Sequence, residues 1–213
     1  RWYETGTWYH FVTDLNDVLE SRENGTWFGL MTQSTDLGFL NLFNIYENVT
    51  APFFLPRNVL VPADKYTWTN VSLYFESAIG RPVSVVAEVE CCSFFDGELL
   101  RSFFALNWRP DTSWEIGAQH SFYNITLPTG DVEIQIYALN VTLNFTPDMQ
   151  LRTQTQYDNI SKAFGLSARY RWEFLPGSEL FVALGESGDL LNGAHYRSNT
   201  TQASVRIGHL MRF

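Results

Sequence analysis

The sequence contains no hydrophobic run long enough to form a membrane-spanning helix. Such a helix needs about 18 to 20 consecutive apolar residues, and no stretch of the 213 residues approaches that length. Basic residues are also scarce, because 14 Lys and Arg stand against 23 Asp and Glu and give a net charge of -9. Nucleic-acid binding depends on clustered Lys and Arg. The composition therefore argues against a nucleic-acid partner.

Cysteine is nearly absent as well, since only Cys91 and Cys92 occur and they are neighbours. Their spacing matches neither a zinc site nor a disulfide framework. Consecutive side chains of a strand point to opposite faces, and a bridge between them needs an unusual geometry. We expect either two free thiols or a vicinal disulfide.

Helical periodicity is equally hard to find, and the chain instead alternates with period two. Residues 151–174 place Leu, Thr, Phe, Tyr and Trp on one face of a strand and Arg, Gln, Ser and Glu on the other. Segments of this kind, about ten residues long, recur between turn signals. We predict an all-β fold of about twelve antiparallel strands, at residues 1–13, 24–33, 37–48, 66–78, 82–92, 98–109, 113–125, 131–145, 149–158, 163–174, 178–186 and 200–213.

The connections between these strands are predicted to alternate in length. Short turns rich in Pro, Gly and Asp are expected at 34–36, 79–81, 110–112, 146–148 and 175–177. Longer loops are expected at 14–23, 49–65, 93–97, 126–130, 159–162 and 187–199. Tight turns at one end and long loops at the other are typical of outer-membrane barrels. We therefore predict an up-and-down transmembrane β-barrel domain over residues 1–213, either complete or the C-terminal part of a larger barrel.

The polar face of the strands predicts what lines the interior of such a barrel. A small soluble barrel fills its interior with branched aliphatic side chains, but this face is rich in charged and amide groups. The candidates for the lumen lining are Arg152, Gln154, Gln156, Arg169, Arg171, Glu173, Glu88, Glu90, Glu115 and Arg206. One interpretation is a charged pore that selects solutes by sign. The other, which we favour, is a network of cross-strand Arg–Glu pairs that stiffens the wall.

Aromatic residues collect beside the predicted short turns. In transmembrane barrels such rings form a girdle at the membrane–water interface, where they face lipid. The candidates for this girdle are Trp108, Trp114, Phe145, Met149, Tyr170, Trp172 and Phe174. Because hydrocarbon offers no hydrogen-bond partners, a sheet that crosses it must also be closed.

Two strands fit this scheme poorly. Residues 178–186 are apolar on both faces, and residues 131–145 change parity between Ile136 and Leu139, which predicts a β-bulge there. The last strand fits well, because the chain ends in an alternating segment with Met211 and Phe213 on its apolar face. A C-terminal aromatic residue of this kind resembles the signal read by the bacterial barrel-assembly machinery.

Several short segments carry a resemblance to a known family. They are GRPVSVVAEV (80–89), FFDGE (94–98), NWRPDTSWEIG (107–117), LPTGD (127–131), QYDNIS (156–161) and RYRWEFLPGSELFVAL (169–184). In this order, over about residues 28–213, they resemble the C-terminal part of a domain-of-unknown-function family of Gram-negative outer-membrane proteins, usually found after a family-nine-type carbohydrate-binding module. Members are longer, and they have an aromatic residue and a glycine in place of Cys91 and Cys92. The resemblance implies a location in the bacterial outer membrane and a barrel fold, but no activity.

No motif predicts catalysis, a cofactor or a metal centre. The four histidines lack ligand spacing, and no nucleophile motif or paired carboxylates occur. Acidic residues at the ends of predicted loops are interpreted as turn-solvating groups, with divalent-cation binding at lipopolysaccharide as the alternative. They are Asp96, Asp131, Asp158, Glu186 and Asp189. The expected partners are outer-membrane lipid and lipopolysaccharide, the barrel-assembly machinery and a further membrane protein.

Three functions remain open from the sequence. The first is an integral outer-membrane barrel that passes small polar solutes, and the second is a non-conducting barrel that anchors or scaffolds partner proteins. The third is a soluble secreted β-protein, which eight Asn-x-Ser/Thr sequons bring into consideration. Loop 49–65 contains three prolines and many apolar residues, so we expect it to fold inward or to dock a partner.

Overall fold

Strands make up 78% of the chain in a computed structural model, which describes residues 1–191 and 195–210. The strands are β1 (Trp2–Thr13), β2 (Leu19–Met31), β3 (Leu37–Asn48), β4 (Phe53–Leu55), β5 (Val59–Val61), β6 (Lys65–Glu76), β7 (Val83–Phe94), β8 (Gly97–Trp108), β9 (Trp114–Leu127), β10 (Gly130–Thr146), β11 (Met149–Asp158), β12 (Ala163–Leu175), β13 (Ser178–Leu191) and β14 (His195–His209). The described residues include no helix with the length and apolar character needed to cross a membrane.

Twelve of these strands form one antiparallel sheet, which confirms the predicted all-β class and strand number. Each strand is hydrogen-bonded to the next along the chain in the order β1-β2-β3-β6-β7 and onward to β14. The two short strands β4 and β5 pair with each other in the connection between β3 and β6. By its contacts the chain divides into two compact units. Unit 1 comprises residues 1–80, 84–104 and 121–134, and unit 2 comprises 81–83, 105–120 and the chain from residue 135 onward.

The predicted difference in loop length was wrong. The expected loops 14–23, 93–97 and 126–130 shrink to connections of 14–18, 95–96 and 128–129. Strand pairing continues through the polar residues at the strand ends, because backbone groups need partners whatever the side chain is. In the described part of the chain only the connection 49–64 is long.

The turn between β1 and β2 shows how a short connection forms here. The Asp14 carboxylate accepts hydrogen bonds from the backbone N–H groups of Val18, at 2.9 Å, and Asn16, at 2.8 Å. These bonds lower the pKa of Asp14 because they stabilise the charged carboxylate. Asp17 adopts a φ of 61°, a conformation that Asp tolerates better than most residues. Five residues are therefore enough to reverse the chain.

The two strands that fitted the predicted pattern poorly, β10 and β13, are both members of the twelve-stranded sheet. The pairing of β10 with β11 runs without a break from Ile136 to Asn144, so the bulge predicted between Ile136 and Leu139 was wrong. Glu133 lies on the same face as Leu139, and this face simply changes from polar to apolar along the strand. β13 is longer than predicted and pairs with β14 over most of its length.

The hydrophobic core is small and lies in unit 1, around the connection 49–64. Val59 and Val61 of β5 are buried. They are accompanied by the other buried apolar residues of this unit, Tyr66, Trp68, Leu99, Ile125, Leu127 and Val132. The Thr129 hydroxyl donates a hydrogen bond of 2.6 Å to the Leu60 carbonyl, which fixes β5 against the turn after β9. The long connection thus packs on its own unit.

Candidate functional site

Polar and apolar side chains exchange their usual positions on β6. Asn70 is 1% and Ser72 is 3% exposed, whereas Leu73 is 60% and Phe75 is 43% exposed. In a water-soluble protein the buried face of a strand carries the apolar side chains. From Asn70 onward the polar side chains of β6 are therefore buried or half-buried and the apolar ones are open to the surroundings, whereas in the first part of the strand Tyr66 and Trp68 are buried and Thr67 is exposed.

The exposed apolar face extends to the strands on both sides of β6. Leu73 lies opposite Leu40 of β3 and Val89 of β7, and Val71 lies opposite Leu42. All five side chains are exposed. We call these five residues the apolar belt of unit 1. Contiguous exposed apolar surface of this kind marks a contact with a protein or a membrane.

The buried polar face of unit 1 holds a connected network of charges and amides. Arg101 contacts Glu90 at 2.9 Å and Glu88 at 3.3 Å. Asn70 donates a hydrogen bond of 3.0 Å to Glu90 and accepts one of 3.0 Å from the backbone N–H of Ser93. The carboxylates of Glu88 and Glu90 thus share the guanidinium of Arg101, and the amide of Asn70 binds Glu90, the more buried of the two. The lumen candidates Glu88 and Glu90 are brought together here.

Aromatic rings also occupy the polar face of unit 1. Trp8 contacts Phe43 with ring centroids 6.2 Å apart, and Trp27 contacts Phe39 at 5.9 Å. The Trp8 ring lies over Gly25, where an added Cβ would be 2.4 Å from the ring. Only glycine leaves room for a ring this close to the backbone. Together with the core, these rings cover part of the polar face of unit 1.

The polar face of unit 2 is different, because it forms an open cleft. The cleft has a volume of about 380 Å³ and lies over β8 to β12. Its charged and amide lining groups are Asn107, Glu115, Asn140, Arg152, Gln154 and Arg169. Four predicted lumen residues, Glu115, Arg152, Gln154 and Arg169, therefore meet at one site. Gln156 lies opposite Gly165 on the same face.

A second group of charges in unit 2 is linked by ion pairs. Arg171 contacts Glu179 at 3.1 Å and Glu173 at 3.3 Å, and Arg206 contacts Glu179 at 3.0 Å. The Arg206 guanidinium also lies 5.6 Å from the ring centroid of Phe181. Three predicted lumen residues, Arg171, Glu173 and Arg206, thus form a chain of neutralised charges.

The predicted girdle residues lie on the opposite, apolar face of unit 2. Trp108 and Trp114 flank the turn between β8 and β9, and Phe145 precedes the turn between β10 and β11. Trp172 and Phe174 stand before the turn between β12 and β13, with ring centroids 5.7 Å apart. All five are exposed. Tyr170 of the same face is half-buried, as is Met149. Alternate turns of an antiparallel meander lie at one edge, so these rings share a level.

The other singled-out residues have local roles. Cys91 and Cys92 are joined by a disulfide, which decides between the two alternatives left open by the sequence. Asp158 accepts hydrogen bonds from the backbone of the β11–β12 turn, and Asp189 contacts Arg197 at 2.8 Å. Within residues 1–191 and 195–210 no group of three His, Cys, Asp or Glu residues is placed to hold a metal ion. Met211 and Phe213 lie outside the described residues.

Sequence reasoning missed three polar residues that the structure brings into these networks, namely Asn70, Arg101 and Glu179. Arg101 lies on the same face of β8 as Asn107, so alternation along this strand could have indicated it. Asn70 belongs to one of the eight sequons, and nothing in that motif indicates a buried amide. Glu179 precedes the apolar residues of β13, and its partner Arg171 becomes apparent only from the register of β12 and β13.

Comparisons with known proteins add little. The sequence matches no protein-family model and no curated protein. Among solved structures, the one described as "NanC porin structure in rhombohedral crystal form" aligns with 97% of this chain and 97% of its own, at 12% identity and a TM-score of 0.39. A likeness of that strength establishes neither a common fold nor a function, so the interpretation must come from the side chains of this chain.

Proposed function

We propose that the protein is an integral outer-membrane β-barrel whose polar interior passes small polar solutes. The observation that carries this proposal is the exchange of faces, with Asn70 and Glu90 buried while Leu73 and Val89 are exposed. In a transmembrane barrel the apolar side chains face the hydrocarbon of the bilayer, and the polar side chains face an interior where they form hydrogen bonds. The exposed rings beside the turns of unit 2 support an interfacial level.

The proposal includes closure of the twelve-stranded sheet. Each unpaired backbone group costs several kcal/mol in hydrocarbon, since no water is present to bind it. A sheet with two free edges would leave a whole row of such groups along β1 and β14. Pairing of these strands with each other, or with strands of a longer chain, removes that cost. The proposal thus has three parts: the sheet is closed, the protein lies in a bacterial outer membrane, and it is related to the outer-membrane family that it resembles.

A soluble secreted protein is disfavoured by the same faces. In water, the apolar belt of unit 1 and the rings of unit 2 would form exposed apolar surface without a partner. Some of the charged side chains are instead paired on the polar face, as for Arg101 with Glu88 and Glu90. Lipid and lipopolysaccharide are the proposed partners of the outer surface, and the barrel-assembly machinery is the proposed partner during insertion.

A second candidate function is a non-conducting barrel that anchors other proteins. It is favoured by the filling of unit 1, where β5 is packed among buried apolar side chains and rings cover the polar face. A filled interior has no path for solutes. The open cleft of unit 2 favours the conducting alternative, so the two functions make opposite predictions for the same protein.

Extraction and conductance measurements test these functions. Membranes that contain the protein are washed with alkaline carbonate, and the protein is then purified in detergent and added to a planar bilayer. Retention after carbonate with steady single-channel steps supports the pore, whereas retention with a silent but folded protein supports the anchor. Release by carbonate without detergent contradicts both and leaves the soluble protein.

A further inference from the structure

Two arginines of the unit 2 cleft face each other without an acidic partner. Arg152 of β11 lies directly opposite Arg169 of β12, and both line the cleft. Among the described residues neither forms an ion pair or a side-chain hydrogen bond. The other strand arginines of this unit, Arg171, Arg197 and Arg206, each contact a carboxylate within 3.3 Å. The Arg152–Arg169 pair is thus an exception among the strand arginines that the structure describes in unit 2.

This arrangement is unfavourable unless something neutralises it. Side chains directly opposite each other in an antiparallel pair have Cβ atoms about 5 Å apart, and like charges at that position destabilise the sheet. Each guanidinium also presents five N–H donors. A carboxylate accepts two parallel hydrogen bonds from one guanidinium, and such charge-assisted bonds are about twice as strong as neutral ones. An anion between the two arginines therefore relieves the repulsion and satisfies the donors.

The remaining lining groups indicate what else the ligand carries. Asn107, Asn140 and Gln154 offer amide donors and acceptors that suit hydroxyl groups. Glu115 also lines the cleft, but β10 and β11 separate β9 from β12, and strands lie about 4.8 Å apart. The strand that carries Glu115 thus lies roughly 10 Å from β11, which carries Arg152, and 14 Å from β12, which carries Arg169. The cleft volume of about 380 Å³ falls at the small end of ligand sites.

We propose that Arg152 and Arg169 bind the carboxylate of a small hydroxylated organic anion, with the amides of the cleft binding its hydroxyl groups. This inference rests on the proposed function in one respect, since it takes the cleft to be the place where solutes contact the wall. Binding is independent of conduction, however, and is measured separately.

The test is a calorimetric titration of the detergent-purified full chain at low salt, because salt screens exposed charges. Sodium glucuronate is the probe, and glucose is its neutral counterpart. We expect glucuronate to bind and glucose to bind more weakly. R152Q and R169Q are each expected to weaken glucuronate binding about tenfold or more, the loss typical of one charged hydrogen-bonding partner. E115Q is expected to strengthen it, because a negative charge leaves the cleft.

The matched control is R171Q, which removes the same charge from the same face of β12 but from an arginine already paired with Glu173 and Glu179. It is expected to leave glucuronate binding within about twofold of the wild type, since its charge is neutralised. Equal weakening in R152Q, R169Q and R171Q would mean that any positive charge on this face attracts glucuronate, and it would overturn the site. Absence of glucuronate binding to the folded wild type would overturn it as well.

Stability gives a readout that separates a ligand site from a structural role. If the two arginines only held the strands together, R152Q would unfold at lower urea concentration than the wild type. Under our proposal R152Q is at least as stable as the wild type without glucuronate, because a like-charge repulsion is removed. Glucuronate binding by a protein that is silent in bilayers would support the anion site and contradict the pore. Conduction without glucuronate binding would support the pore and contradict the anion site.

Discussion

Replacement of Leu73 by arginine distinguishes a lipid-facing strand from a strand in water. Leu73 is 60% exposed and lies between Leu40 and Val89 in the middle of the apolar belt. In a soluble protein an exposed site away from special features tolerates substitution within about 0.5 kcal/mol. A lipid-facing arginine at the bilayer midplane costs about 2–4 kcal/mol, and this cost falls to about 0–1 kcal/mol near the interface.

The position of Leu73 along β6 sets the magnitude. It stands three residues before the strand end at Glu76, which at about 3.3 Å per residue is about 10 Å along the strand. Strands of such barrels are tilted by about 35–45° and their apolar band is about 25 Å tall, so Leu73 lies about 8 Å in height from Glu76, inside the band but short of its middle. We therefore expect L73R to lower the free energy of unfolding by about 1–3 kcal/mol.

Thr67 provides the matched control on the same strand. It lies on the same exposed face as Leu73, six residues towards the other strand end, and is itself polar. We expect T67R to lose no more than about 1 kcal/mol. The assay is urea unfolding of the two variants and the wild type in phosphatidylcholine vesicles, followed by tryptophan fluorescence. Equal stability of L73R and T67R would refute a lipid-facing belt.

Two further substitutions test the polar face of unit 1. R101M leaves Glu88 and Glu90 without their shared partner. Because the network is half-buried, we expect a loss of about 1–3 kcal/mol in urea unfolding, between the values for exposed and for buried ion pairs; an unchanged midpoint would mean that water reaches both carboxylates. G25A places a Cβ 2.4 Å from the Trp8 ring and should cost about 1–3 kcal/mol. G165A is the control and should be nearly neutral, because no atom lies within 4 Å of its new Cβ. Equal melting temperatures of the two variants would contradict the packing of Trp8 on Gly25.

The strand pattern was predictable from the sequence because alternation depends only on neighbouring residues. The faces of β11 and β12 follow directly from the period of two, and Arg152 and Arg169 fall on the polar face as expected. Strand ends were less predictable, since backbone pairing continues where the side chains have become polar on both faces. The β1–β2 turn shows this, because the Asp14 hydrogen bonds allow five residues where ten were expected.

Contacts between strands were beyond sequence reasoning because they depend on register. Arg171 and Glu179 are eight residues apart, and their ion pair exists because Glu173 lies opposite Glu179 across the β12–β13 turn. A shift by one residue would move Glu179 to the other face. That Arg152 contacts no acidic side chain among the described residues is likewise a property of the register, since the sequence contains more acidic than basic residues.

Charge balance on the polar faces indicates where a solute contacts the protein. In unit 1 the guanidinium of Arg101 is satisfied by Glu88 and Glu90, and the remaining oxygen of Glu90 is satisfied by Asn70. A network that is complete and half-buried offers no group to a solute without first breaking a bond. In the unit 2 cleft, Arg152 and Arg169 are open to solvent and retain their donors. A solute that needs a charged partner therefore gains most in that cleft, whether the protein conducts or only binds.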